Sequence, residues 1–300
     1  MEDKTKKKQI VNSNLQSEYR LPLPLRIVVI ILVLFAAILT TLGVLPLAKL
    51  FQVDPSHLQG AGFRPTFGTM FIGILYSASQ FILIWLVMRF IHKRKFGSLG
   101  FKKPFWKPIL LGTTFGIGLY VAEFGLDCLI GGNVQLSWNV PSGATAISVI
   151  GYFALWFLFL LTLNSLKEEL VFRAYPIEQF NDKPGAMIWI LIFVSLIFAA
   201  VHHVLEPFSI SAFLSRFSIA LVLAYAYFRW RSIWLVVGIH NGANFMGFLL
   251  RGHWKSGGLF KLTFNAPSQE IIIIVDFLVK IIGLTLLHLY WLKSKNKIVQ

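Results

Sequence analysis

The chain has 300 residues, of which 56% are hydrophobic and 14% charged, with a mean hydropathy of +0.69 and a formal charge of +15. A soluble domain carries about 25% charged residues, so the deficit, together with long apolar blocks, excludes an ordinary globular enzyme and points to a polytopic membrane protein. The positive charge therefore calls for anionic headgroups facing cytoplasmic loops before it calls for nucleic acid, and the single cysteine, Cys128, excludes an internal disulfide framework and a CxxC metal site.

The first 26 residues are polar and basic and read as a flexible cytoplasmic tail without a cleavable signal. Eight apolar segments follow, at 27–48, 68–91, 108–130, 146–166, 186–204, 208–228, 232–250 and 271–292, each long enough for a hydrocarbon core of about 30 Å. The predicted fold class is an all-α bundle of about eight transmembrane helices. With the N-terminus inside, 21 of the 28 Lys and Arg residues fall in the tail, in the 89–107 and 167–185 loops, in the 229–231 turn and after 292, and none falls in the 131–145 loop. That asymmetry predicts a multi-pass cell-membrane protein with both termini cytoplasmic. The stretch 92–108, HKRKFGSLGFKKPFWKP, mixes lysines with aromatic residues. Two spans flank it, so it reads as a juxtamembrane segment on lipid, and no nucleic-acid partner is expected.

Ionisable groups at membrane depth cost a few kcal/mol each, which makes three clusters informative. In EELVFR, Glu169 and Arg173 are four residues apart and share a helix face. Glu168 points about 100° away, free to act as a base. At the end of the fifth segment come Phe198 and, four residues on, His202, followed by His203. In HNGAN, His240 and Asn244 are one helical turn apart, and Gly242 and Ala243 permit close helix contact. One free glutamate, two histidines and an asparagine suit amide hydrolysis: the carboxylate generates hydroxide from water and the His–Asn donors stabilise the oxyanion. The same Glu168, His202 and His240 could instead hold a divalent metal such as zinc in an open catalytic site. HExxH is absent, so the usual zincin helix is not available. Glu168 is expected at the inner end of the fourth span and His202 at the outer end of the fifth, so meeting requires the Glu helix or the fifth span to be offset, tilted or broken, or the fifth span to be short; one option is that 166–185 continues as a helix back into the membrane. Among other buried charges, Asp276 and Lys280 share a face and read as a structural pair, whereas Glu123 and Asp127 show no obvious partner.

EExxxR, FxxxH and HxxxN on successive spans, over roughly 147–250, resemble the CAAX-protease and bacteriocin-processing (CPBP, or Abi) family of intramembrane endopeptidases, which includes the type II CAAX prenyl endopeptidases. The resemblance implies that Glu168 activates water and His202 positions it. It further implies that His240 and Asn244 form the oxyanion site, and that Glu169 and Arg173 shape and neutralise it. Phe198 selects His202 over the adjacent His203. Members are usually called metalloproteases, although the prenyl-protein branch resembles a glutamate-driven hydrolase without a tightly held metal. The expected substrate is a membrane-associated peptide or protein, such as a bacteriocin, pheromone or prenylated precursor. A non-enzymatic immunity or partner-binding protein and a small proton-coupled transporter are the competing readings. The chain divides accordingly into a basic tail (1–26), an N-terminal transmembrane region (27–145), a catalytic core (146–250) and a last outer loop, helix and basic tail (251–300).

Overall fold

The computed structural model describes residues 20–54, 66–157, 162–204, 207–252, 255 and 258–299. Most of the predicted basic tail, 1–19, lies outside them. The helices are α1 (Leu23–Leu50), α2 (Phe67–Leu86, continued by a π turn Val87–Ile91), α3 (Trp106–Gly131), α4 (Ala146–Ala154), α5 (Thr162–Glu169, continued by a π turn Leu170–Ala174), α6 (Tyr175–Gln179), α7 (Met187–Val201), α8 (Ile210–Trp230), α9 (Ile233–Arg251) and α10 (Gln269–Val299). Eight spans are long and apolar enough to cross a membrane, and the chain is an all-α, multi-pass membrane protein.

Local chemistry accounts for where the helices start. Pro24 stands in the first turn of α1, where a missing N–H costs nothing. Thr66 and Thr69 form a reciprocal capping box at α2, and Thr145 and Ser209 accept from the backbone N–H groups of Ser148 and Ala212 to cap α4 and α8. Long aliphatic side chains on α1, α2 and α10 remain exposed on the isolated chain, as lipid-facing surfaces must. The core is formed by α5 to α9 together with the inner faces of α1 and α2, joined by Leu119 of α3 and Val275, Val279 and Leu287 of α10.

Sequence and structure part at the fourth span. The segment expected to close at 166 runs from Ala146 to Gln179, because α5, its π turn and α6 follow one another without a break. Glu168 therefore lies about 16 Å along the helix from Gln179, at 1.5 Å per residue, inside the bundle rather than at its mouth. Lys167 and Arg173, counted among the basic residues of a 167–185 loop, are buried within the helix. The helix α7 has 15 residues, and its flanking 3-10 turns, Pro184–Ala186 and His202–Val204, extend the fifth span to Pro184–Val204. With the fourth span continued past Glu168, that carboxylate comes within electrostatic reach of His202.

That same end of the bundle is tied by ions. Arg26 grips Asp182 through both guanidinium nitrogens at 2.6 and 3.0 Å, while Arg94 and Arg231 reach Glu178 at 2.8 and 3.3 Å. At the other end, the two connections expected to be plain loops pair as a short antiparallel ribbon, β1 (Gln135–Trp138) with β2 (Phe260–Thr263), Gln135 opposite Thr263.

The closest helix contact places the HNGAN segment. On α3, Gly112 and Gly116 face α9, and on α9, Gly238 and Gly242 face α3. A Cβ would lie 2.2 Å from Leu235 O at Gly112, 2.0 Å from Ile239 O at Gly116, 2.4 Å from Ile109 O at Gly238 and 2.1 Å from Thr113 O at Gly242. Two small-xxx-small stripes thus meet backbone to backbone. His240 lies midway between Gly238 and Gly242. At 100° per residue it points to the opposite side of α9, towards α5.

Candidate active site

Three helices deliver the site. On α5, Asn164 Nδ2 donates to Glu168 Oε1 at 2.8 Å. Glu168 Oε2 faces His240 Nε2 at 3.7 Å. Across the same ring, His240 Nδ1 donates to Glu169 Oε1 at 2.7 Å. That oxygen also accepts from Arg173 Nη1 at 3.2 Å, so a single carboxylate oxygen holds both an arginine and the imidazole. The π turn that follows Glu169 contains Arg173; such turns recur at functional sites. Glu169 and Arg173 are both 0% exposed, and among the described residues Glu169 Oε2, Arg173 Nε and Arg173 Nη2 are buried without a protein hydrogen-bond partner.

Phe198 of α7 is the hub. Its ring carries the Arg173 guanidinium 3.9 Å from the centroid. It packs edge-on against Phe172, His202 and His240, at 5.5, 4.6 and 6.3 Å between centroids. His202 Nδ1 donates to Phe198 O at 2.8 Å. A carbonyl and a carboxylate can only accept, so each of these Nδ1 atoms carries a proton, and the Nε2 of His240 faces Glu168. His202 lies within electrostatic reach of Glu168.

The structure thus brings together Glu168, Glu169, Arg173, Phe198, His202 and His240. Asn244 follows His240 by one turn of α9 and is half-buried. His203 turns away: its Nδ1 donates to Pro207 O at 3.1 Å and its Nε2 lies 3.5 Å from Arg216. Two expectations change. Glu168 is not free, because Asn164 holds it. His240 is tied to Glu169 and flanked by Glu168. The signal for Asn164 was present as an i, i+4 spacing to Glu168. Asn241, which donates to Thr162 Oγ1 at 3.0 Å and so joins α9 to α5, carries no such signal, since its partner is 79 residues away. Away from the site, Glu123 does have a partner, Lys280, which also reaches Asp276 at 2.8 Å. Ser215 and Ser218 donate to the same aspartate.

Two Nε2 atoms and a carboxylate are donor types that suit zinc. The spacing does not: among the described residues, no three His, Cys, Asp or Glu side chains are grouped so as to hold a metal ion. The groups present can take a proton from water, through Glu168, and can hold a hydrated polar group between two imidazoles inside an apolar bundle.

Comparison with known proteins bears on this arrangement. No curated protein and no solved structure matches the chain. The family model described as type II CAAX prenyl endopeptidase Rce1-like matches residues 150–246, a stretch that contains every residue of the cluster. Over residues 150–246, about a third of its length, the chain is therefore similar to the type II CAAX prenyl endopeptidases of the Rce1-like family.

Proposed function

We propose that the protein is an intramembrane endopeptidase that hydrolyses a peptide bond in a membrane-associated, lipid-modified peptide or protein. The observation that carries this reading is the convergence of Glu168, His240 and Glu169 within 3.7 Å at the centre of the segment that matches the CAAX-protease model.

In this mechanism Glu168 removes a proton from water through Oε2, the oxygen that faces His240, while Asn164 holds the other oxygen. The hydroxide adds to the scissile carbonyl carbon, and the proton passes through Glu168 to the departing amine as the C–N bond breaks. His202 accepts the second hydrogen of the water at Nε2 and so aims its lone pair. The developing oxyanion takes hydrogen bonds from Asn244 and from His240 Nε2, which donates only when the ring carries both protons. Glu169 keeps that ring in register, and Arg173 balances the Glu169 charge. Removal from bulk water strengthens each of these contacts. No step is routed through a metal. Both termini are proposed to face the cytoplasm, with the ion-paired end of the bundle on that side.

The test compares peptides from cells expressing the wild-type protein with those from cells expressing Glu168→Gln at equal protein level. A set of cleavage products that vanishes in the variant supports the proposal. Identical peptide profiles, with both proteins folded, refute it and favour the immunity or partner-binding reading.

A further inference from the structure

Among the buried cations that the mechanism does not use, one has no ion-pair contact among the described residues. Lys167 precedes Glu168 on α5 and is 3% exposed. Its ammonium sits over the ring of Tyr76 on α2, 3.8 Å from the centroid. Among the described residues no carboxylate lies within 4.0 Å of it and no hydrogen bond to it is formed, whereas Arg26, Arg94, Arg173, Arg231 and Lys280 each reach an acid. The neighbouring carboxylates are engaged elsewhere: Glu168 by Asn164 and His240, and Glu169 by Arg173 and His240. Glu168 acts on this ammonium only through space, without a hydrogen bond or ion-pair contact; an ammonium at membrane depth so loosely compensated is costly, and such groups mark binding sites by default. An aromatic face supplies part of what water would give and leaves the cation's electrostatic demand unmet. Lysine is also a poor choice for mere space filling here, because an apolar residue of the same length would pack against Tyr76 without the desolvation cost.

We propose that Lys167 is a substrate-binding residue that receives a carboxylate of the peptide cleaved at Glu168. This rests on the peptidase reading above and deepens it by naming an anionic group that the substrate must carry. Lys167 and Glu168 are adjacent on α5 and within electrostatic reach of one another, so an anion on Lys167 belongs to a part of the substrate near the bond that Glu168 attacks. The carboxylate can be the peptide's own C-terminus or an acidic side chain near the cleaved bond. Either one, in a site this dry, gains a charge-assisted hydrogen bond.

The experiment uses full-length protein in lipid nanodiscs and three farnesylated fluorescent peptides of one sequence. One has a free C-terminal carboxylate, one a C-terminal amide, and one a C-terminal amide with a Glu next to the farnesylated residue. Dissociation constants are measured on Glu168→Gln, with and without Lys167→Met, and turnover is measured on otherwise wild-type protein. The expected result is that one of the two anionic peptides binds about ten- to a hundredfold tighter than the neutral one, that Lys167→Met abolishes the difference, and that Lys167→Arg restores part of it. Which anionic peptide wins identifies the source of the carboxylate. Equal affinity for all three peptides overturns the proposal, as does a preference that survives Lys167→Met. So does a loss of turnover in Lys167→Met that is the same for every peptide with unchanged affinities, since that would confine Lys167 to tuning Glu168. If Lys167→Met does not fold, the peptide preference of the Lys167→Arg and Lys167→Gln proteins decides in its place. Selective binding without cleavage by wild-type protein would refute the peptidase reading and leave the carboxylate site standing.

Discussion

Substituting Gly242 by Ala tests how α9 is aimed. The new Cβ would lie 2.1 Å from Thr113 O and 2.9 Å from Ile117 N, both backbone atoms of α3. Carbon and oxygen need roughly 3.3 Å, so the helices must separate by about 1 Å, and no side-chain rotation can relieve the clash. Overpacking of this kind costs about 1–3 kcal/mol, offset by the roughly 1 kcal/mol by which Ala is the better helix former. The separation also moves α9 away from α3 and disturbs the 2.7 Å bond from His240 to Glu169. Gly118→Ala on α3 is the matched control: a Cβ there meets nothing within 4 Å, so only the helix-propensity gain applies. Thermal unfolding followed by tryptophan fluorescence should show Gly242→Ala several degrees below the wild type and Gly118→Ala at or above it. Peptide cleavage should fall at least tenfold in the first and hold in the second. Equal melting temperatures and equal turnover for the two variants would refute the backbone-to-backbone contact and the account of how His240 is aimed.

Other consequences separate chemistry from scaffolding. Glu168→Gln should keep its melting temperature and lose about 10²–10⁴-fold in cleavage rate, whereas Glu169→Gln leaves Arg173 buried beside a neutral amide and should cost about 3–5 kcal/mol of stability, read by the same melt. Asn164→Leu should slow cleavage with little change in stability, because it frees Glu168 Oε1; unchanged kinetics would remove Asn164 from the site. Outside the spans, burial and the neighbouring Arg94 and Arg26 hold His92 down to about 4, and its ring bonds Tyr175. Because the folded value is below the unfolded one, near 6.5, the unfolded chain binds the proton better. Stability should therefore be full above about pH 6.5 and decline as pH falls towards 4, and His92→Gln should flatten that decline in a melting series. Exhaustive chelation with verified metal removal should leave turnover intact, and loss of activity restored by zinc alone would replace the glutamate–water mechanism.

The membrane class, the number of spans and the three motifs were legible in the sequence, because each rests on local quantities: runs of apolar residues set by bilayer thickness, and i, i+4 spacings set by the helix repeat. The Glu169–Arg173 pair is of this kind. Relations between distant segments were not legible. That the fourth span continues to Gln179 was one option the motif positions left open; the sequence did not decide it, since EELVFRAYPIEQ mixes four charged residues with its apolar ones and becomes a buried helix where Arg94, Arg231, His92 and His240 supply its partners. That His240 answers to Glu169, that Asn241 reaches Thr162 and that Gly112 and Gly116 seat Gly238 and Gly242 depend on which helix faces which. Packing of whole surfaces decides that, and no window of neighbouring residues contains it.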